Sequence, residues 1–282
     1  MAVAPQLDNI PTQKPLGEAV VAPSVDPTTR LRYEVKFWAN EVQAAALVRL
    51  ASQHMHIDPY CRGGSQRNVS LYLDSPNLTF FELHLAGAPS RSKLRVRTYD
   101  DPTGPAFLEV KKRIKGMTMK SRVTVSREDA RRIVLGDHDV LRNLKPSQDL
   151  SDFIFHYHRY MVSPVILISA RRLAMAGSED GGNFRLTMDR DIRYQPHNGA
   201  DLIGRPTDWT PVDLSERSGD GSLCVLIEMK FRDAAPAWLA PAIAMTGIQH
   251  TSFSKYCACL GRYTAENGNP SRSSFADDGD GE

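Results

Sequence analysis

Short runs with Arg or Lys at every second position recur along this chain. Alternate residues of a β-strand share a face. Each run therefore commits one side of a strand to charge and the other to packing. Arg32, Glu34 and Lys36 alternate with Tyr33, Val35 and Phe37. Lys93, Arg95 and Arg97 oppose Leu94, Val96 and Thr98. Glu109, Lys111 and Arg113 oppose Leu108, Val110, Lys112 and Ile114, and Lys120, Arg122 and Thr124 oppose Ser121 and Val123. Further on, Arg185, Thr187 and Asp189 oppose Leu186 and Met188, and Glu228 and Lys230 oppose Ile227 and Met229. In VILISARRL (165–173), Arg172 shares a face with Ile166, Ile168 and Ala170.

One such strand is the solvated side of an ordinary antiparallel sheet. The set is different, because solvated faces mix Ser, Thr, Gln, Glu and Lys, whereas these are biased to Arg and Lys with isolated Glu. KLRVRTYD, AFLEVKKRI and MTMKSRVTVS stand at hairpin spacing, with turns near DDPTG and at Lys115–Gly116. Further strands are predicted at 68–75, 165–175, 183–194 and 222–232. Asn40 with Gln43 starts a capped helix. Helices are also predicted at 77–85, 127–136 and 150–160, and the C-terminal stretch reads as mostly helical with a break near Gly247. The class is α+β. If the sheet closes into a barrel with its polar faces inward, the apolar faces pack against the helices and the interior becomes densely positive.

The 282 residues suit one folded region over 30–264. Residues 1–29 read as a flexible segment and 265–282 as a disordered acidic tail. The net charge of +2 argues against a nucleic-acid binder, which would show a strong overall basic excess. Any basic site is a local concentration. Cys61, Cys224, Cys257 and Cys259 form no C-x-x-C pair and read as free thiols. No apolar run is long enough for a membrane span and no signal peptide is visible, so a cytoplasmic protein is expected.

A confined positive cavity repels itself unless anions fill it. A phosphate chain supplies repeated charge and oxygen acceptors that match the Arg fork. The interspersed carboxylates suggest a bridging divalent cation. No Walker-type loop is present. His156 and His158, two apart on a helix, do not share a face and read as solvent-facing or packing residues.

In order along the chain, R-Y-E-V-K-F (32–37), Y-L-D-S-P-N-L through K-L-R-V-R-T-Y (72–99), F-L-E-V-K-K-R (107–113), K-S-R (120–122), F-R-L-T-M-D (184–189), I-E-M-K-F (227–231) and F-S-K-Y (253–256) resemble the VTC (vacuolar transporter chaperone) catalytic domain of the triphosphate tunnel metalloenzymes. The resemblance implies a closed antiparallel eight-stranded tunnel with flanking helices. It implies an enzyme that moves the γ-phosphate of ATP onto polyphosphate and releases ADP, with Mn²⁺ favoured and Mg²⁺ as the alternative. It assigns phosphate handling to Lys36, Arg95, Arg97, Lys111, Arg172, Arg185 and Lys255, and metal binding to Glu228, helped by Glu109 or Glu34. At Arg171-Arg172 the family's usual preceding aromatic is missing, so register decides between them, in favour of Arg172. Arg32, Lys93, Arg113, Lys120, Arg122 and Lys230 complete the basic lining. No SPX domain or membrane span of the fungal members is expected. The alternatives are a tunnel triphosphatase or polyphosphatase, and a noncatalytic polyphosphate-binding module.

Overall fold

The computed structural model describes residues 32–114, 117–177, 184–199, 201–212, 214, 224–232 and 234–268. The N-terminal segment 1–29, the Lys115–Gly116 turn and most of the acidic tail lie outside them. Strand β1 (Tyr33–Ala39) leads into helix α1 (Glu41–Ala51). The capping box forms as expected: Gln43 N donates to the Asn40 side chain and Asn40 N to the Gln43 side chain, both at 2.9 Å. Next come β2 (Met55–Ile57), β3 (Gln66–Asp74), α2 (Thr79–Leu85), β4 (Ser90–Tyr99), β5 (Ala106–Ile114) and β6 (Met117–Val125). Three helices follow: α3 (Arg127–Val134), α4 (His138–Asn143) and α5 (Gln148–Arg159). The chain then runs through β7 (Ser163–Gly177), β8 (Arg185–Pro196), β9 (Thr210–Pro211), β10 (Val225–Phe231), α6 (Leu239–Thr246), β11 (Gln249–Thr251) and α7 (Lys255–Asn267).

Two elements depart from the sequence reading. Gly136, at φ 89°, ends the helical stretch where expected, but the Asp137 side chain then caps a separate, unpredicted α4. Gly247, at φ 64°, ends α6, and the next residues pair as strand β11 rather than resuming a helix. Helix α7 continues to Asn267, three residues into the segment read as tail.

The strands form one antiparallel sheet in the order β11-β1-β10-β8-β7-β3-β4-β5-β6, with β2 on β7 and β9 on β8. It curls far enough for Lys111 of β5 to reach Glu34 of β1 at 2.5 Å, although many strands separate them in the pairing order. The expected closed barrel is not formed. Among the described residues, β6 and the start of β1 meet through one isolated bridge, Arg32 to Thr118. The reason is competition for an edge. β11 pairs with Lys36–Trp38 of β1 and so occupies the hydrogen-bonding groups that β6 would need.

Apolar side chains hold helices on the convex face. Leu71, Leu94, Val96 and Leu108 pack with Ile133 and Phe153 of α3 and α5, and Phe37, Met188 and Ile227 pack with Leu47 and Leu239 of α1 and α6. A third cluster lies on the other face. Trp38, Tyr72, Ile166, Ile168 and Leu226 alternate with outward residues, point into the concavity, and pack against Tyr256, Cys259 and Leu260 of α7. The concave face is therefore divided. Helix α7 covers one part of it, and charged side chains line the rest, the channel. The four cysteines are free thiols. Among the described residues no helix is long and apolar enough to cross a membrane.

Candidate active site

Three buried carboxylate centres organise the channel, and the ladders of the sheet create each one. Arg95, Glu109 and Arg122 lie directly opposite one another across β4, β5 and β6, where opposite charges attract. Glu109 is 1% exposed. It accepts from Arg95 Nε at 2.7 Å and Arg122 Nε at 2.7 Å, and lies 2.6 Å from Lys120 and 4.0 Å from Arg97. Burial disfavours its charge, but these cations overcome that and hold Glu109 well below the ordinary carboxylate range. Tyr72 Oη accepts from Arg95 at 3.1 Å, and Ser70 Oγ accepts from the buried Arg97 at 3.3 Å.

The second centre joins β1, β5 and β10. Glu34 accepts from Lys111 Nζ at 2.5 and 2.7 Å, and Glu228 accepts from Lys230 Nζ at 2.6 Å. Lys36 lies 3.6 Å from Glu34 and 3.9 Å from Glu228, and donates to the Phe253 carbonyl at 2.8 Å. The two carboxyl groups share Lys36 and Lys111 as neighbours within 4.0 Å. Burial opposes ionisation of Glu228, yet Lys230, Glu34, Lys111 and Lys36 draw it well below its usual range. Lys36 moves the other way. Burial, and then repulsion from Lys111, lower its ammonium to about 8.

The third centre gathers the expected Arg172 and Lys255 around Asp189, which the sequence did not mark as a site residue. Asp189, fully buried, takes a bidentate pair from Arg172 at 2.7 and 2.6 Å and a third bond from Lys255 at 2.6 Å. The available signal was its even spacing from Arg185 and Thr187. The ladder sets Arg172 opposite Asp189, whereas Arg171 is exposed on the other face. Ser254, which caps α7, accepts from Lys93 Nζ at 2.7 Å. Burial, and then Lys36, hold Lys93 well below the usual lysine range. The N-terminal turn of α7 thus faces the charged part of the channel.

The remaining expected residues sit at the rims. Arg32 and Arg113 are exposed. Arg185 is half-exposed at the start of β8 and donates to Asp58 at 2.6 Å, apart from the three centres. Glu109 is likewise separate from Glu34 and Glu228 in its partners. Among the described residues, the inward cations Lys36, Lys93, Arg95, Arg97, Lys111, Arg172, Lys230 and Lys255, with Lys120 and Arg122 exposed at the mouth beside Glu109, face the carboxylates Glu34, Glu109, Asp189 and Glu228. The balance is strongly positive in a chain whose net charge is +2. Burial and the neighbouring Arg95 lower the Arg97 guanidinium too, so the cations are closer together than they would settle in water. An elongated polyanion would relieve that repulsion.

No curated protein sequence matches the chain. Among solved structures, the chain is similar to a candidate adenylate cyclase from Bacillus halodurans, at 12% identity and a TM-score of 0.45, covering 80% of this chain and 95% of that one. It is similar to another from Vibrio parahaemolyticus, at 11% identity and a TM-score of 0.41, covering 80% and 97%. It is also similar to a protein from Pyrococcus horikoshii OT3, at 11% identity and a TM-score of 0.42, covering 82% and 99%. The VTC domain model matches residues 31–262, most of the chain including all three carboxylate centres, and the chain belongs to the VTC domain family.

Proposed function

We propose that this protein is a polyphosphate polymerase that moves the γ-phosphate of ATP onto the terminal phosphate of a growing chain and releases ADP. The observation that carries this reading is the excess of inward-facing, mostly half-buried cations over carboxylates along one concave face of a VTC domain. Phosphoryl transfer needs mainly positioning and charge stabilisation, and Arg95, Arg97 and Arg172 supply planar forks on guanidiniums that carboxylates already hold in place. Lys36, Lys93, Lys111, Lys230 and Lys255 neutralise the flanking phosphates. A terminal phosphate is ionised near neutral pH, so the acceptor needs no general base.

Glu34 and Glu228 bring two hard oxygen donors together, and a divalent cation held there would displace the Lys111 and Lys230 ammoniums that pair with them. Among the described residues no group of three His, Cys, Asp or Glu side chains could hold a metal, so phosphate oxygens would complete the shell. Glu109 is committed to four cations and does not join them. Mn²⁺ or Mg²⁺, when bound, would supply charge neutralisation at the transferring phosphate.

The test is purified protein with ATP and Mn²⁺. The expected products are long polyphosphate and ADP in step. Phosphate release without polymer would make it a tunnel phosphatase, and binding without turnover would make it a polyanion-binding module. Arg97→Ala is expected to reduce turnover by roughly 10²-fold.

A further inference from the structure

A second cluster of arginines lies outside the channel, on the convex side of the same wall. Arg67 of β3 stands directly opposite Arg171 of β7, and Arg193 of β8 stands opposite Ser169, also on β7. The three side chains line one open pocket of about 400 Å³ with Trp209. Like charges set opposite each other across a ladder repel. Arg193 is answered by Asp191 at 2.6 Å. Asp100, also in the pocket, accepts from the Arg67 backbone amide rather than from its guanidinium. Among the described residues, neither Arg67 nor Arg171 has a carboxylate partner. Among the described residues, their side chains bond hydroxyls, Ser169 at 2.8 Å and Ser65 at 3.4 Å.

The backbone here is shaped to keep this arrangement. The β7–β8 register shifts between Ser169 and Arg171, and Asp191 opposite the shift is left-handed at φ 48°, which strains a non-glycine residue. The Arg67 guanidinium lies 4.9 Å from the Trp209 ring centre, and that contact fixes its plane. The ring is already covered, so no aromatic base is needed to fill the pocket. The lining sets three guanidiniums against two carboxylates, and those carboxylates are engaged by Arg193 and by the Arg67 backbone amide.

We propose that Arg67, Arg171 and Arg193 form an accessory site for a short run of phosphates, outside the catalytic channel and separated from it by the thickness of the sheet. The site rests on the polyphosphate reading of the channel for the identity of its ligand, not for its chemistry. Two opposed guanidiniums without counter-ions match successive phosphate groups, and the volume suits a few phosphates. Such a site would hold a second stretch of the polymer, or a separate short chain, against the outer wall.

Calorimetric titration of the full chain with tripolyphosphate tests this. Two classes of site are expected in the parent protein. Arg67→Ala/Arg171→Ala should weaken one class roughly tenfold or more and leave the other unchanged, whereas Arg97→Ala should do the reverse. Arg171→Gln alone, at an exposed position, serves as the variant least able to disturb folding and should weaken the same class. A single class that is lost in Arg97→Ala and untouched by Arg171→Gln and the double variant overturns the accessory site. A single class lost in the double variant but not in Arg97→Ala keeps the accessory site and overturns the channel reading.

Discussion

Glu109 shows how a single residue can set the balance of a site. A buried carboxylate serves four cations, so removing its charge leaves them facing one another. Glu109→Gln is expected to destabilise the fold by about 3 kcal/mol, read from urea denaturation, and tripolyphosphate should restore part of the loss. Lys36 makes a second residue-scale prediction. Its ammonium is depressed to about 8, so above that pH the free protein carries a neutral Lys36. A bound phosphate favours the charged form, so binding there takes up a proton. Affinity for tripolyphosphate should therefore be level below pH 8 and fall as pH rises through it, by up to about tenfold per unit. Lys36→Arg should flatten the profile, and an equal loss in that variant would assign the effect to another group. Residues such as Arg95, Arg97 and Lys111 were legible from alternation, because the period of a strand fixes which side chains share a face. Asp189 was not, because a lone carboxylate among arginines looks like charge balance until its bidentate partner is seen. Arg185 has the right parity, but parity does not say how far along a strand the channel extends.

The elements that shape the channel depend on a few polar contacts. Helix α7 is anchored by Tyr256, which donates its hydroxyl to the fully buried Asp74. The same carboxylate accepts from the amides of Ser75, Phe80 and Phe81 and so caps α2, whose preceding residue Leu78 is left-handed. Tyr256 also stacks on Tyr72 with ring centres 4.7 Å apart, and Tyr72 bonds Arg95. Tyr256→Phe should lower stability by about 1 kcal/mol in chemical denaturation, since Asp74 keeps its three amide donors. It should reduce turnover by more than that loss explains, because the ring that stacks on Tyr72, the partner of Arg95, is no longer held by Asp74. Unchanged turnover would confine Tyr256 to a packing role. Capping boxes and hairpin spacings made most elements readable, since both depend on neighbours in sequence. The strand β11 did not announce itself, because its three residues pair only with an edge supplied by β1.

At the scale of the whole molecule, sequence alternation gave the two faces of the wall but not what fills them. The apolar residues Trp38, Tyr72, Ile166 and Ile168 have the inward parity of the cations, and nothing local marks them as the packing surface for a helix more than 80 residues downstream. Nor does alternation say whether a sheet closes, since that depends on which strand takes the last edge. The filled end has a functional meaning of its own. A channel open at both ends would accept the middle of a polymer, whereas one closed by the packing of α7 on Trp38, Tyr72, Ile166 and Ile168 would admit only a terminus. The protein should therefore count ends. At equal total phosphate, long chains present fewer termini than short ones and should occupy fewer channels in a competition assay. A chain esterified with bulky groups at both ends should fail to displace tripolyphosphate from the channel, and equal competition by blocked and free chains would show that the floor is passable.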